Sequence, residues 1–73
     1  MHTREVVKLA LAKNAVALLC AHPHPSGIAE CSHADELISK RLRDALALVE
    51  IRLVDHLIVA TGQVVSLVEK GIL

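Results

Sequence analysis

From Thr3 to Asn14 apolar and polar residues recur with a helical rhythm. "REVVKLALAKN" sets Val6, Leu9, Ala10 and Lys13 along one side, with Glu5 in the first turn and Lys13 and Asn14 at the end. A helix capped by Thr3 is therefore predicted. The rhythm stops at "AVALLCA", residues 15–21, an unbroken apolar run of strand length that predicts a strand covered on both faces. "HPHPSGIAEC", residues 22–31, contains two prolines and a glycine and is predicted to be an irregular loop. Helical spacing returns at Ser32 and lasts to about Val49. There Ala34, Leu37, Ile38, Leu42, Ala45, Leu46 and Val49 form the stripe, opposite Glu36, Lys40, Arg43 and Asp44. "IRLVDHLIVAT", residues 51–61, and "QVVSLVEK", residues 63–70, predict two strands joined tightly at Thr61 and Gly62 as a β-hairpin.

The predicted order is helix, strand, loop, helix, strand, strand: an α/β (α+β) arrangement in which helices cover a small mixed sheet. Residues 1–73 fit one domain at most, with no repeat, linker or low-complexity stretch. Composition changes this picture in one respect. Hydrophobic residues make up 53% of the chain, yet Phe, Tyr and Trp are absent, so the core has only Leu, Val, Ile and Ala to draw on. A chain this short buries only about 60% of the surface exposed on unfolding. A metal, a second copy or further polypeptide would reinforce so thin a core.

Eight Lys and Arg balance eight Asp and Glu. Without net positive charge or aromatic platforms, the chain is a poor candidate for direct nucleic-acid contact. Its longest apolar runs fall far short of the roughly 20 residues of a membrane span, and no signal peptide is evident. Cys20 lies in an apolar run and Cys31 in the loop. Together these features suit free thiols and a reducing, cytoplasmic location.

The loop holds the most suggestive chemistry. Alternate residues of an extended segment point the same way, which puts His22 and His24 on one side. Pro23 and Pro25 each bias the preceding histidine to extended geometry, so the imidazoles are held as a pair before any ion arrives. Asp35 follows Ser32 by three residues, on the same face of the second helix's first turn. Two imidazoles and a carboxylate leave a fourth tetrahedral position open, the arrangement of a catalytic Zn²⁺ site in which bound water ionises near pH 7. A plainer reading stands beside it: Ser32 and Asp35 also make a variant capping box, and a histidine before proline is commonly a solvated loop residue.

"HPHPSGIAECSHAD" fits HxHx7SxxD through His22, His24, Ser32 and Asp35, and resembles the metal motif of the JAB/MPN (JAMM) metalloprotease superfamily. More narrowly, "HPHPSG", the preceding "REVVKLALAKNAVALL" and the following "DHLIVATGQVVSLVEKGIL" resemble the C-terminal domain of RadC, a bacterial family historically linked to DNA repair. The resemblance implies a partial, cytidine-deaminase-like JAB/MPN sandwich. It also implies a zinc-dependent hydrolase of peptide or isopeptide bonds, with His22, His24 and Asp35 on the metal and Ser32 as the catalytic oxyanion donor. The superfamily's proton-transferring glutamate belongs to an earlier strand. The resemblance therefore reads residues 1–73 as an N-terminally truncated domain with weak or no turnover. Glu30 is the only glutamate near enough in sequence to substitute. RadC relatives usually carry Asn where Pro23 stands, so a polar contact gives way to a stiffer loop.

Further residues carry smaller expectations. Cys31 could add a fourth ligand, although a plain loop thiol is expected. Of Asp55 and His56, neighbours on a strand, at most one can face the site and support a ligand imidazole. His33, about 100° around the helix from Ser32, is expected in solvent, and His2 carries no signal. The competing function is a non-catalytic metal-binding or interaction module whose exposed sheet edge joins a partner or a second copy.

Overall fold

A computed structural model describes residues 2–24 and 27–73. The expected stiffening of His24 by Pro25 lies outside the described residues. The elements run α1 (Thr3–Ala12), β1 (Ala17–Pro23), α2 (His33–Leu48), β2 (Arg52–Ala60) and β3 (Gln63–Ser66). The sheet order is β1-β2-β3, with β1 parallel and β3 antiparallel to β2. This is the expected mixed α/β arrangement, and α2 forms the crossover between the parallel strands.

The cap of helix α1 falls one residue earlier than predicted. His2 is the N-cap, without a side-chain bond, and its carbonyl accepts from the N–H groups of Glu5 and Val6. Thr3 is thus already helical. The helix ends at Ala12, and Asn14 turns the chain with φ 53, a left-handed conformation that asparagine tolerates better than most residues. Its buried side is Ala10 with Val6 and Val7 against it, while Leu9 is 60% exposed. In α2 the buried positions are Ser39, Leu42 and Leu46; Ala34, Leu37 and Val49, expected in the stripe, face solvent. Lys40 and Glu36 pair on its polar side at 3.0 Å.

Strand β1 has the expected length but lies two residues later, running through His22 and Pro23, because Pro23 at its end needs only the extended φ that proline already has. The expected cover on both faces is not found. Burial alternates along β1, and Leu19 is 59% exposed. The reason is positional: α1 and α2 lie on one side of the sheet, packing against Leu18 and Cys20, and no described element covers the other side. Leu19, Val59 and Val64 leave the opposite face apolar and open. The total accessible surface of 4969 Å² exceeds the roughly 4,400 Å² typical of a monomer of this mass.

Register along the parallel pair contains one irregularity. Leu18 pairs with Leu53, but Leu19 pairs with Asp55, so Val54 is an extra residue on β2. Before this bulge Ile51 and Leu53 are buried; after it the buried residues are His56 and Ile58. The inward phase of β2 has shifted by one residue. One core cluster gathers Ala10, Leu42, Leu46, Ile51 and Leu53, and the other gathers Ala29, Ile58 and Leu67. His56 therefore falls between the two clusters along β2.

The hairpin turns at Thr61 and Gly62, with Ala60 opposite Gln63 and Gly62 at φ 70. β3 stops at Ser66 rather than Lys70 because Asp55 captures the chain there. Its carboxylate accepts from the Ser66 hydroxyl and from the Val68 N–H at 3.1 Å, turning residues 67–71 back over Ile58. Partial burial works against ionisation of Asp55, but the bonds from Ser66, Val68, His56 and Leu67 outweigh it and hold the carboxyl below its ordinary range.

Two outcomes follow for stability in urea. Leu46→Ala, at a fully buried site, should cost about 2–5 kcal/mol, whereas Leu48→Ala, 86% exposed, should stay within about 0.5 kcal/mol. Since the folded Asp55 carboxyl titrates lower than the unfolded one, its contribution is complete above about pH 4 and declines as pH falls through the folded value. A pH series of melting temperatures should show that decline, and Asp55→Asn should flatten it while lowering stability at neutral pH.

Candidate metal centre

Three elements bring the donor atoms together. His22 is on the final turn-in of β1, on the covered side of the sheet, where it pairs with Ile58. His24 follows as the strand ends, and its backbone N–H still donates to the Val59 carbonyl at 2.8 Å. Asp35 comes from the first turn of α2. One ligand atom from each of His22, His24 and Asp35 lies within 4.8 Å of the others.

The capping box is present as well, and it is what aims the acid. The Asp35 N–H donates to Ser32 Oγ at 3.1 Å, and Asp35 Oδ2 accepts from the Ser32 N–H at 3.0 Å. That same Oδ2 is 3.1 Å from His24 Nε2, while Oδ1 is 3.8 Å from His22 Nε2. Partial burial raises the carboxyl's pKa, but the Ser32 amide and hydroxyl, then His24 and His22, overcome it and hold Asp35 below the usual carboxylate range. An ionised acid thus faces two imidazole nitrogens.

His24 is braced from behind. Its Nδ1 is 3.1 Å from the Ile28 carbonyl, an acceptor only, so Nδ1 carries the hydrogen and Nε2 is left toward Asp35. A carbonyl on the second ring nitrogen is how metal-bound histidines are commonly oriented. The His22 and His24 rings meet edge to face with centroids 5.2 Å apart. Donor atoms around a tetrahedral zinc stand about 3.3–3.5 Å apart, given bonds of about 2.0–2.2 Å. The 3.1 and 3.8 Å separations involve different oxygens of Asp35, and the three ligand atoms spread over as much as 4.8 Å, so the donor types fit such an ion and the set would close in slightly to hold it.

Ser32 is exposed, its oxygen accepts from Asp35, and its own O–H proton has no acceptor among the described residues. It lines an open depression of about 360 Å³ together with His24, Ile28, Glu30 and Cys31. Glu30 borders this depression without joining the three-residue cluster. Cys31 also stays outside the cluster; its thiol donates to the Ser32 carbonyl at 3.5 Å. Burial, then Asp35 and Glu36, push that thiol's pKa up, which disfavours the thiolate a metal would need. Cys20 is raised by burial and borders the first core cluster. His33 and His2 are exposed.

Two supporting residues lie beneath the site. Ser39 is fully buried and donates its hydroxyl to the Asp35 carbonyl at 2.7 Å. Its oxygen is also hydrogen-bonded to Nδ1 of His56, which is 2% exposed. Burial first, then His22, lower the His56 pKa, with Asp35 and Asp55 opposing, so the ring is neutral near pH 7. His56 was one of two strand candidates in the sequence. Ser39 was overlooked, although a polar residue one turn after Asp35 and in line with Leu42 and Leu46 was a signal.

Comparison with known proteins agrees with this geometry. The RadC-like JAB domain family matches residues 1–72. A "UPF0758 protein" of Nitrosococcus oceani is 58% identical over 73 residues, covering 100% of this chain and 33% of that protein. A counterpart in Thioalkalivibrio sulfidiphilus is 59% identical over 73 residues, 32% of its length. One in Vibrio cholerae is 59% identical over 71 residues, 97% of this chain and 32% of the relative. The chain thus spans about a third of the length of the curated relatives it matches. With the family profile covering nearly every residue and the strand, loop and helix of its motif converging on one point, the chain belongs to the RadC-like JAB domain family.

Proposed function

We propose that this chain carries the zinc-binding half of a hydrolytic site that acts on amide bonds of a peptide or protein, in the bacterial cytoplasm. The observation that carries the reading is the Asp35 carboxylate, anchored through Oδ2 by the Ser32 N–H while facing Nε2 of both His24 and His22. The family membership supplies the expectation of zinc and of peptide or isopeptide hydrolysis. Bacterial relatives, two free cysteines and the absence, among the described residues, of any helix long and apolar enough to cross a membrane support the location.

Zinc bound here would supply Lewis acidity and a water that ionises near pH 7. The chain's own residues do the rest. His24, fixed by Ile28, and Asp35, fixed by Ser32, present their lone pairs without rearrangement. The Ser32 O–H is placed to donate to an amide oxygen as it gains charge. Glu30, on the rim of the same depression, is the glutamate best placed among the described residues to move a proton. General acid–base groups contribute about 10²- to 10⁴-fold, and an exposed rim residue outside the cluster recovers little of that. Turnover by residues 1–73 alone is therefore expected to be slow.

The open sheet face favours a second element of the reading. Leu19, Val59 and Val64 are 59%, 37% and 59% exposed on it, and we infer that it meets further polypeptide, either more of a longer protein or a second copy. An association of copies through this face would be seen by light scattering and should be lost in Leu19→Lys.

Zinc titration should give one equivalent per chain, lost in His24→Ala and in Asp35→Ala; unchanged binding in both variants would refute the site. Ser32→Ala should retain zinc, lose about 0.5–2 kcal/mol of helix capping, and slow any chelator-sensitive peptide or isopeptide hydrolysis about 10²- to 10³-fold. Hydrolysis that persists in excess chelator would sink the enzymatic part of the proposal.

A further inference from the structure

The two imidazoles of the site are not supported alike. His24 has its second nitrogen on the Ile28 carbonyl. His22, whose side chain is 37% exposed, has its Nε2 toward Asp35 and makes no hydrogen bond through Nδ1 among the described residues. Beneath it is the reverse situation. Nε2 of His56 is a buried side-chain polar atom with no partner among the described residues. The rings of His22 and His56 stand edge to face, 78° apart in plane, with centroids 6.2 Å apart.

The hydrogen positions on His56 can be deduced. Ser39 Oγ is 2.7 Å from the Asp35 carbonyl, which only accepts, so the hydroxyl proton goes there. Oγ must then accept from His56, which places a hydrogen on Nδ1 and leaves Nε2 of the neutral ring as a bare lone pair. A lone pair enclosed in the core calls for a donor. A ring nitrogen bearing hydrogen is what His22 offers on its far side once Nε2 is committed to a metal.

We propose that His56 is the positioning residue for His22: its Nε2 accepts the Nδ1–H of His22 through one bridging water, and so selects the tautomer that presents Nε2 to the ion. This rests on the zinc reading above and deepens it. One connected line then runs from the Asp35 backbone through Ser39 and His56 to His22, joining the first turn of α2 to the end of β1 across β2. The two histidine ligands would be held by different means, one by a loop carbonyl and the other by a buried imidazole. The bulge at Val54 is what turns His56 inward to serve this role.

The test is zinc affinity by competition with a chromophoric chelator, together with ¹⁵N–¹H spectra of the imidazole rings, on the full chain and two variants. His56→Asn retains a donor to Ser39 at the Nδ1 position but has no acceptor at the Nε2 position. It should fold, bind zinc about 10- to 100-fold more weakly, and show His22 as a mixture of tautomers in the metal-free state. His56→Gln, whose amide oxygen reaches the Nε2 position, should recover most of the affinity and the single tautomer. A wholly structural role for His56 would produce the opposite ranking, with His56→Asn behaving as the parent. Parental affinity and an unaltered His22 spectrum in His56→Asn overturn the proposal. Should His56→Asn fail to fold, the parent decides by itself: a hydrogen found on His56 Nε2 in the zinc-loaded chain also overturns it. A parent chain that binds no zinc refutes the site as a whole, and this inference with it, which distinguishes that failure from the failure of His56 alone.

Discussion

The site depends on one carboxylate performing two tasks with the same oxygen. Asp35 Oδ2 accepts from the Ser32 N–H as half of a capping box and simultaneously faces His24. Capping normally satisfies a helix's free N–H groups and nothing more. Here it also removes the rotamer freedom of the acid, so the carboxylate is held toward the histidines by the same bonds that start α2. The positive end of the helix and the two imidazoles both favour its ionised form. A change of the Ser32 side chain removes only the hydroxyl half of the box and weakens the helix start, while the backbone N–H that holds Oδ2 stays in place.

Around that acid the fold supplies rigidity unevenly. The parallel β1–β2 pair fixes His22 in register with Ile58 and delivers His24 at the strand's end. The segment from Gly27 to Ser32 has few buried residues, but Ala29 is only 4% exposed and anchors it in the cluster with Ile58 and Leu67. That anchoring keeps the Ile28 carbonyl within reach of His24. On the far side of the sheet nothing described covers Leu19, Val59 and Val64. The same three strands are therefore half core and half open surface, consistent with a unit that makes up about a third of its relatives' length. A core without aromatic side chains, divided into two clusters by a histidine and a serine, gives such a unit little stability in reserve.

Much of this was legible in the residues themselves. Period-3.6 spacing located both helices, the apolar run located β1, and the Thr61–Gly62 turn located the hairpin, because each of these signals is local and depends on backbone geometry alone. His22, His24, Ser32 and Asp35 could be singled out by spacing, since extended alternation and a helical first turn place side chains predictably. Errors arose where the signal was not local. Leu9, Leu37 and Val49 belonged to plausible stripes but face solvent, because the neighbours that would bury them are set by packing. β1 looked buried on both sides because composition records hydrophobicity, not whether a partner layer is present.

What the sequence determined by itself was the inventory and its order: a pair of proline-flanked histidines, then a serine and an acid at a helix start, within alternating helices and strands. What only the tertiary structure decided was phase. Strict alternation along "IRLVDHLIVA" would turn Asp55 inward with Ile51 and Leu53; the one-residue bulge at Val54 turns His56 inward instead and frees Asp55 to close the C-terminal turn. A bulge arises from how β2 must pair with β1 while packing against α2, a compromise between partners more than 30 residues apart in the chain. No window of local sequence contains both sides of it, which is why the residue beneath the site could be narrowed to two and not chosen.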